Sequence, residues 1–288
     1  MELVVGATGQ LGGLVTRRLL ERNADLRILV RPHAAYQPLV DAGAQPVFGD
    51  LKDRASLDAA VQGVDVLITT ANSVGRGGED TVASVDLTGN RDLIDAARAA
   101  GVRQFIFISA LGAAPDVPDP FMQAKGRTEE HLRASGVPFT ILAPNMFMEL
   151  WIGAIVGLPV AEGRSVTLVG EGRRKHSLVS VEDVAAFVVA AVGHPAAQNQ
   201  YLPIGGPEAL SWREIVATCE RVLGRAIPVE TVALGEPLPG LPPIMSTLMA
   251  AMESYDSPLE MADLARTFGV ELTSVEAYVR RSFVPVPS

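Results

Sequence analysis

The stretch Leu3-Val4-Val5-Gly6-Ala7-Thr8-Gly9-Gln10-Leu11-Gly12-Gly13 decides how the chain folds. Leu3, Val4 and Val5 predict a short buried strand, and the run that follows to Leu20 is helical in pattern. Between them, glycines stand at positions 6, 9 and 12. Gly6 and Gly9 permit a tight turn and let bare backbone N–H groups approach a pyrophosphate. Gly12 lets the helix lie close to the strand, and the helix N-terminus adds partial positive charge where phosphates would sit. Three spaced glycines are weak evidence alone. A strand before them and a helix after them make the pattern informative.

The composition fits this reading. The chain has 288 residues, of which 48% are hydrophobic, enough for one large α/β unit or one unit with an appendage. No charge-free apolar run reaches membrane-spanning length, and no signal peptide is evident, so neither a membrane partner nor export is expected. Cys219 is the one cysteine, which forms no intrachain disulfide and suits a reducing cytoplasm. A net charge of −9, with Arg173-Arg174-Lys175 as the one tight basic cluster, argues against nucleic-acid binding. His33, His131, His176 and His194 lie far apart without metal-ligand spacing, so no metal is expected.

Further strands are expected at 26–30, at 46–51 (a strand, then a polar turn), and at 65–70, 104–108 and 138–142, alternating with helices. That alternation argues for a doubly wound parallel sheet with helices on both faces. The second strand ends at Arg31, where an acidic residue would bind the ribose hydroxyls of NAD. An arginine instead pairs with the 2′-phosphate of NADP, so NADP(H) is the expected cofactor. Asp50 and Leu51, after the third strand, fall beside the adenine in such a sheet, although Asp50 also suits the N-cap of a helix beginning near Ser56. Thr70, Ala71 and Asn72 end the fourth strand in small residues that leave room for a cofactor. Ser177–Val181 reads as a later strand, and Ser211 with Glu214 forms a capping box at the start of a helix.

Gly6 to Gly12, Arg31, Gly49-Asp50-Leu51, Lys125 and the run Ile141 to Glu149 together resemble the atypical short-chain dehydrogenase/reductases, and in particular the group related to the nitrogen-metabolite regulator NmrA. Val181-Glu182-Asp183-Val184-Ala185, Gly205 to Ser211 and Thr273 to Tyr278 extend the likeness over nearly the whole chain. The resemblance implies a Rossmann core over 1–145 and roughly 177–204. It also implies a small α+β substrate domain from 146–176 and 205–288.

One departure bears on the chemistry. The family's Tyr-x-x-x-Lys helix keeps its lysine here as Lys125, but Phe121 stands in the tyrosine position and has no proton to give. Lys125 can still hold the nicotinamide ribose. Ser109 lies near the family's substrate-polarising serine, one or two positions early. Asn145 can either donate to a carbonyl or tie its own loop. Phe121, Met146, Phe147 and Trp151 would form an apolar wall for an aromatic substrate, or else ordinary core; His176 is a weaker polar candidate, a solvated residue being the simpler reading. The expected activity is NADPH-dependent reduction of a quinone or aromatic ketone by direct hydride transfer. The alternative is a non-catalytic NADP(H)-sensing regulator that binds a protein. A transient-nucleotide isomerase or dehydratase is a third reading. The exposed helices of such a sheet suit a homodimer face.

Overall fold

A computed structural model describes residues 1–284 and divides the chain into two units. The first comprises Met1–Pro144, Val184–Pro203 and Thr267–Val270, and the second Asn145–Asp183, Ile204–Arg266 and the stretch from Glu271 on. The first is built on β1 (Glu2–Val5), β2 (Leu26–Val30), β3 (Gln45–Phe48), β4 (Val66–Thr69), β5 (Gln104–Ile108) and β6 (Phe139–Pro144). Two more strands, β7 (Val166–Val169) and β9 (Val229–Val232), pair in parallel within the second unit. With β8 (Gln200–Ile204) at one edge, the main sheet runs β3-β2-β1-β4-β5-β6-β8.

The pairings from β3 through β6 are all parallel. Strand order moves outward from β1 in one direction through β2 and β3, then restarts on its other side at β4. This reversal opens a crevice at the carboxyl ends of β1 and β4, the usual ligand position of an open parallel sheet. Hydrophobic burial holds the layers together. Leu3, Leu67 and Phe105 from the strands pack in one core with Leu93 and Leu132 from helices. The strands read as near-continuous apolar runs because both faces of a parallel sheet are covered; every residue of β5 is buried.

The second unit has its own core, in which Met148, Trp151, Trp212, Met249 and Tyr278 are all buried. Residues 177–183 belong to this unit, not to the Rossmann core as expected, and Ser177–Val181 forms no strand. Backbone bonds Met148 N–H to Val179 O at 2.9 Å and Val179 N–H to Met146 O at 2.9 Å draw the segment here. The Glu149 carboxylate adds bonds from the Ser180 hydroxyl and the Val181 N–H. The assignment of Thr267–Val270 to the first unit is a second departure from the expected boundaries. Phe268 there meets Phe187 edge to face and lies tilted against His194. Among the described residues, no helix is long and apolar enough to cross a membrane.

Candidate dinucleotide site and the buried cluster beside it

The helix Gln10–Glu21 starts at Gly9 with no side-chain cap and no acidic residue in its first turn. Its leading N–H groups therefore lack the usual internal anion, and the helix dipole makes that end an anion site. Gly6 takes a left-handed φ of +89°, and a Cβ on it would lie 2.7 Å from Thr70 Oγ1. A Cβ on Gly12 would stand 2.2 Å from Gly6 O, so close helix-to-strand packing requires glycine there. Thr8, Gly9 and Gln10 are exposed, while Leu11 is half-buried. Thr70 Oγ1 lies within 3.4 Å of the Val5 and Gly6 carbonyls, fixing the facing loop across the strand reversal. Ala71 is buried, and the Asn72 side chain donates to Thr70 O and accepts from Val74 N–H.

Arg31 directly follows β2 and donates to Asp80 Oδ2 at 2.7 Å. Two cations that the sequence reading did not single out join it. Lys52 Nζ lies 2.5 Å from Asp80 Oδ1, and Arg76 lies 3.6 Å from Asp80 Oδ2. The Lys52 ammonium, followed by Arg31, holds the Asp80 carboxyl below the ordinary carboxylate range against the opposing effect of burial. Asp50 lies 3.9 Å from Arg31 and accepts from Lys52 N–H. It does not cap the next helix: that helix is Arg54–Ala60, with Asp53 as cap accepting from Ala55 N–H. Leu51 is buried beside Gly89.

At the ends of β4 and β5 lies a buried ionisable cluster. Lys125, on the helix Pro120–Ser135, is 3% exposed; its Nζ donates to Ile108 O at 3.0 Å and lies 3.9 Å from Asp86 Oδ1. Burial pulls the Lys125 pKa down, opposed by Asp86 and then Glu129. Asp86 is fully buried and accepts from Ser73 N–H and Ser73 Oγ, but its Oδ1 has no hydrogen-bond partner. The Ser109 hydroxyl donates to Glu129 Oε1 at 2.5 Å, so it is already engaged. Burial raises the Glu129 pKa, while Ser109 and Arg133 oppose it. Phe121 sits in the same cluster, its ring centroid 5.5 Å from Lys125 Nζ. Asp86 lies on a π-helical stretch, Val82–Gly89.

The other expected site residues lie in the second unit. Trp151 is a core residue and Met146 packs against that core, while Phe147 is half-buried. His176 is 1% exposed rather than solvated. Its backbone is bridged to Leu210 and Ser257, and its Nδ1 lies 2.7 Å from Ser257 Oγ. Asn145 Nδ2 donates to Ser257 Oγ at 3.0 Å and to Ser257 O at 3.2 Å, and Asn145 Oδ1 accepts from Met146 N–H. Asn145 thus ties loops together. Burial lowers the His176 pKa, with Asp256 opposing, so the ring is neutral near pH 7.

A reversed parallel sheet, an uncapped glycine-lined helix end and basic residues after β2 and β3 define a dinucleotide-binding protein of the Rossmann class. Residues 6–195 match the family described as NAD(P)H-binding. The chain is 34% identical over 234 residues to the NAD(P)H azoreductase of Xenophilus azovorans, covering 81% of this chain and 77% of that one. It is 32% identical to the photosystem II assembly factor Ycf39 of Cyanophora paradoxa, over 81% and 71% of the two chains. An Escherichia coli NADPH-dependent quinone oxidoreductase, solved with NADPH, superposes with a TM-score of 0.81 at 23% identity, over 99% of this chain and 100% of that one. The chain belongs to the NAD(P)H-binding family, within the atypical short-chain dehydrogenase/reductases, and is by class an NAD(P)H-dependent oxidoreductase.

Proposed function

We propose that this chain is an NADPH-dependent reductase of a conjugated acceptor, a quinone, azo compound or aromatic ketone, acting without a tyrosine acid. The observation that carries the reading is the uncapped helix end at Gly9, with Gly6 and Gly12 leaving no space for side chains. That cradle suits a pyrophosphate. Arg31 and Lys52 are the residues to hold the 2′-phosphate, which favours NADPH over NADH. Thr70, Ala71 and Asn72 form the floor of the crevice. Lys125 is the residue to hold the nicotinamide ribose through N–H directions left by Ile108 O.

When bound, the dihydronicotinamide supplies a hydride, and water supplies the balancing proton. Phe121 has no proton to give, and the Ser109 hydroxyl is engaged with Glu129. An acceptor whose reduced anion is stabilised by conjugation tolerates this arrangement. The azoreductase relative agrees with such an acceptor. The second unit is read as the substrate-binding part, and the lone buried Cys219 fits a reducing cytoplasm.

The test is NADPH oxidation, followed at the nicotinamide absorbance, against quinones, azo dyes and polycyclic aromatic ketones. Consumption that Gly9→Asp abolishes and Lys125→Ala lowers together with cofactor affinity supports the reading. Tight NADPH binding without consumption across the panel overturns it. The Ycf39 relatives favour one second reading, a dinucleotide-dependent protein-binding factor. A partner captured with NADP+ but not with NADPH, or the reverse, would support that reading; equal capture with both forms would count against it.

A further inference from the structure

Three cations from separate loops converge on one carboxylate at the sheet edge where the adenosine end of the cofactor is placed. Arg31 follows β2, Lys52 follows β3, and Arg76 lies in the loop after β4, as does Asp80 itself. Asp80 is 9% exposed, although every residue from Val74 to Glu79 beside it is exposed. Its side chain is held down by Arg31 at 2.7 Å and Lys52 at 2.5 Å. The loop bearing it contains Gly75, Gly77 and Gly78, each at positive φ with open space where a Cβ would be. Thr81 then anchors the chain by capping the π-helix Val82–Gly89. The carboxylate is thus fixed mainly by charge and sits on a pliable stretch with a firm end.

We propose that Asp80 is a built-in competitor for the 2′-phosphate, which must leave Arg31 and Lys52 before a phosphorylated dinucleotide can bind them. The inference rests on the cofactor placement given above and adds a determinant of cofactor preference. A phosphate dianion and a carboxylate cannot share two cations without mutual repulsion. Binding of the phosphorylated cofactor therefore exchanges one set of charge-assisted bonds for another, and the net gain is smaller than Arg31 and Lys52 would give if unpaired. A dinucleotide without the 2′-phosphate leaves Asp80 in place, and the carboxylate can accept a bond from a ribose hydroxyl. Asp80 thereby narrows the preference for NADPH over NADH, and its release moves the Gly75–Asp80 loop.

The test is calorimetric binding of 2′,5′-ADP and 5′-ADP to the full chain. Asp80→Asn keeps the side-chain volume and removes the charge. It is expected to tighten 2′,5′-ADP about tenfold, with 5′-ADP unchanged or weaker. An unchanged ratio between the two ligands, or weaker 2′,5′-ADP, overturns the proposal. Arg31→Ala and Lys52→Ala should each weaken 2′,5′-ADP selectively. If both are silent, the cofactor placement itself fails, whatever Asp80 does. A readout on the unmutated protein guards against a misfolded variant. Cleavage by trypsin after Arg76 should accelerate with 2′,5′-ADP and not with 5′-ADP. Protection of Arg76 by 2′,5′-ADP would overturn the competitor role.

Discussion

Gly9 and Gly12 stand three residues apart, and only Gly12 excludes a side chain by contact. A Cβ on Gly12 would lie 2.2 Å from a backbone oxygen, so the helix must move. Gly12→Ala is expected to lose about 1–3 kcal/mol of stability, read by urea unfolding, together with cofactor binding. Gly9 is extended, and a Cβ there would approach Gly6 O only to 3.4 Å. Gly9→Asp should therefore keep the thermal midpoint, because Asp is a good N-cap, and lose NADPH affinity, because its carboxylate takes the anion position. His176 makes a pH prediction. Its folded pKa is lowered by burial, so below about pH 6.5 the unfolded chain binds a proton that the native chain refuses. The stability it contributes is present above the unfolded pKa and is lost as pH falls toward the folded value. Denaturant midpoints at pH 7.5 and 5.5 should differ less in His176→Gln than in the unmutated chain; an equal difference would refute the assignment. At this scale the position of Arg31 directly after β2 was legible, because an apolar run marks where a strand stops. The sequence hid Lys52, Arg76 and Asp80, whose meeting depends on loop paths with no local period. His176 was misjudged because the basic residues before it suggested solvent, while its bonds run to Leu210 and Ser257, far along the chain.

Elements whose signals are local were readable. The expected capping box is present: Ser211 Oγ accepts from Glu214 N–H, and Glu214 Oε2 accepts from Ser211 N–H at 2.8 Å. Hydrogen bonds donated to the carboxylate by the Ser211 N–H, then by the Ser211 hydroxyl and Lys175 Nζ, pull the Glu214 carboxyl down to about 2. The folded pKa is depressed, so the cap's electrostatic contribution is present above the ordinary glutamate value of 4.5 and lost as pH falls toward about 2. Ser211→Ala should cost about 1 kcal/mol at pH 7, measured by chemical denaturation, and less at pH 3, where the carboxyl begins to protonate in the native state. A loss independent of pH would place the effect in the hydroxyl alone. Strands β2 and β5 fall where their apolar runs predicted. Strand β9 was missed because Val229–Val232 is almost wholly exposed and carries Glu230, leaving four residues with no buried stripe to read. The π-helix Val82–Gly89 was missed because its widened turn shifts the period on which helix detection depends.

At the scale of the molecule, chain path matters more than pattern. The two units alternate along the sequence as six segments, so the chain passes between them five times. No hydrophobic period records such crossings, which is why the boundaries at 177–183 and 267–270 could not be read from local signals. The same interleaving bears on how the protein opens. Neither unit is a continuous piece of chain, and unfolding one removes the end constraints of segments in the other. Cys219 offers a probe, since it lies fully buried in the core of the second unit. Burial, with a smaller push from Glu220, raises its thiol pKa to about 12, so the native thiol should be inert to a disulfide reagent at pH 8. Reaction then requires opening. If the chain opens as one cooperative body, a cofactor bound at the glycine cradle of the first unit must suppress labelling of Cys219 in the second. When reclosing outpaces labelling, the rate should fall by 1 + [L]/Kd, about 100-fold at 100 times Kd, equivalent to about 2.7 kcal/mol. Labelling that saturating NADPH leaves unchanged would mean that the second unit opens alone despite its interrupted chain, and that the crossings do not couple the two cores.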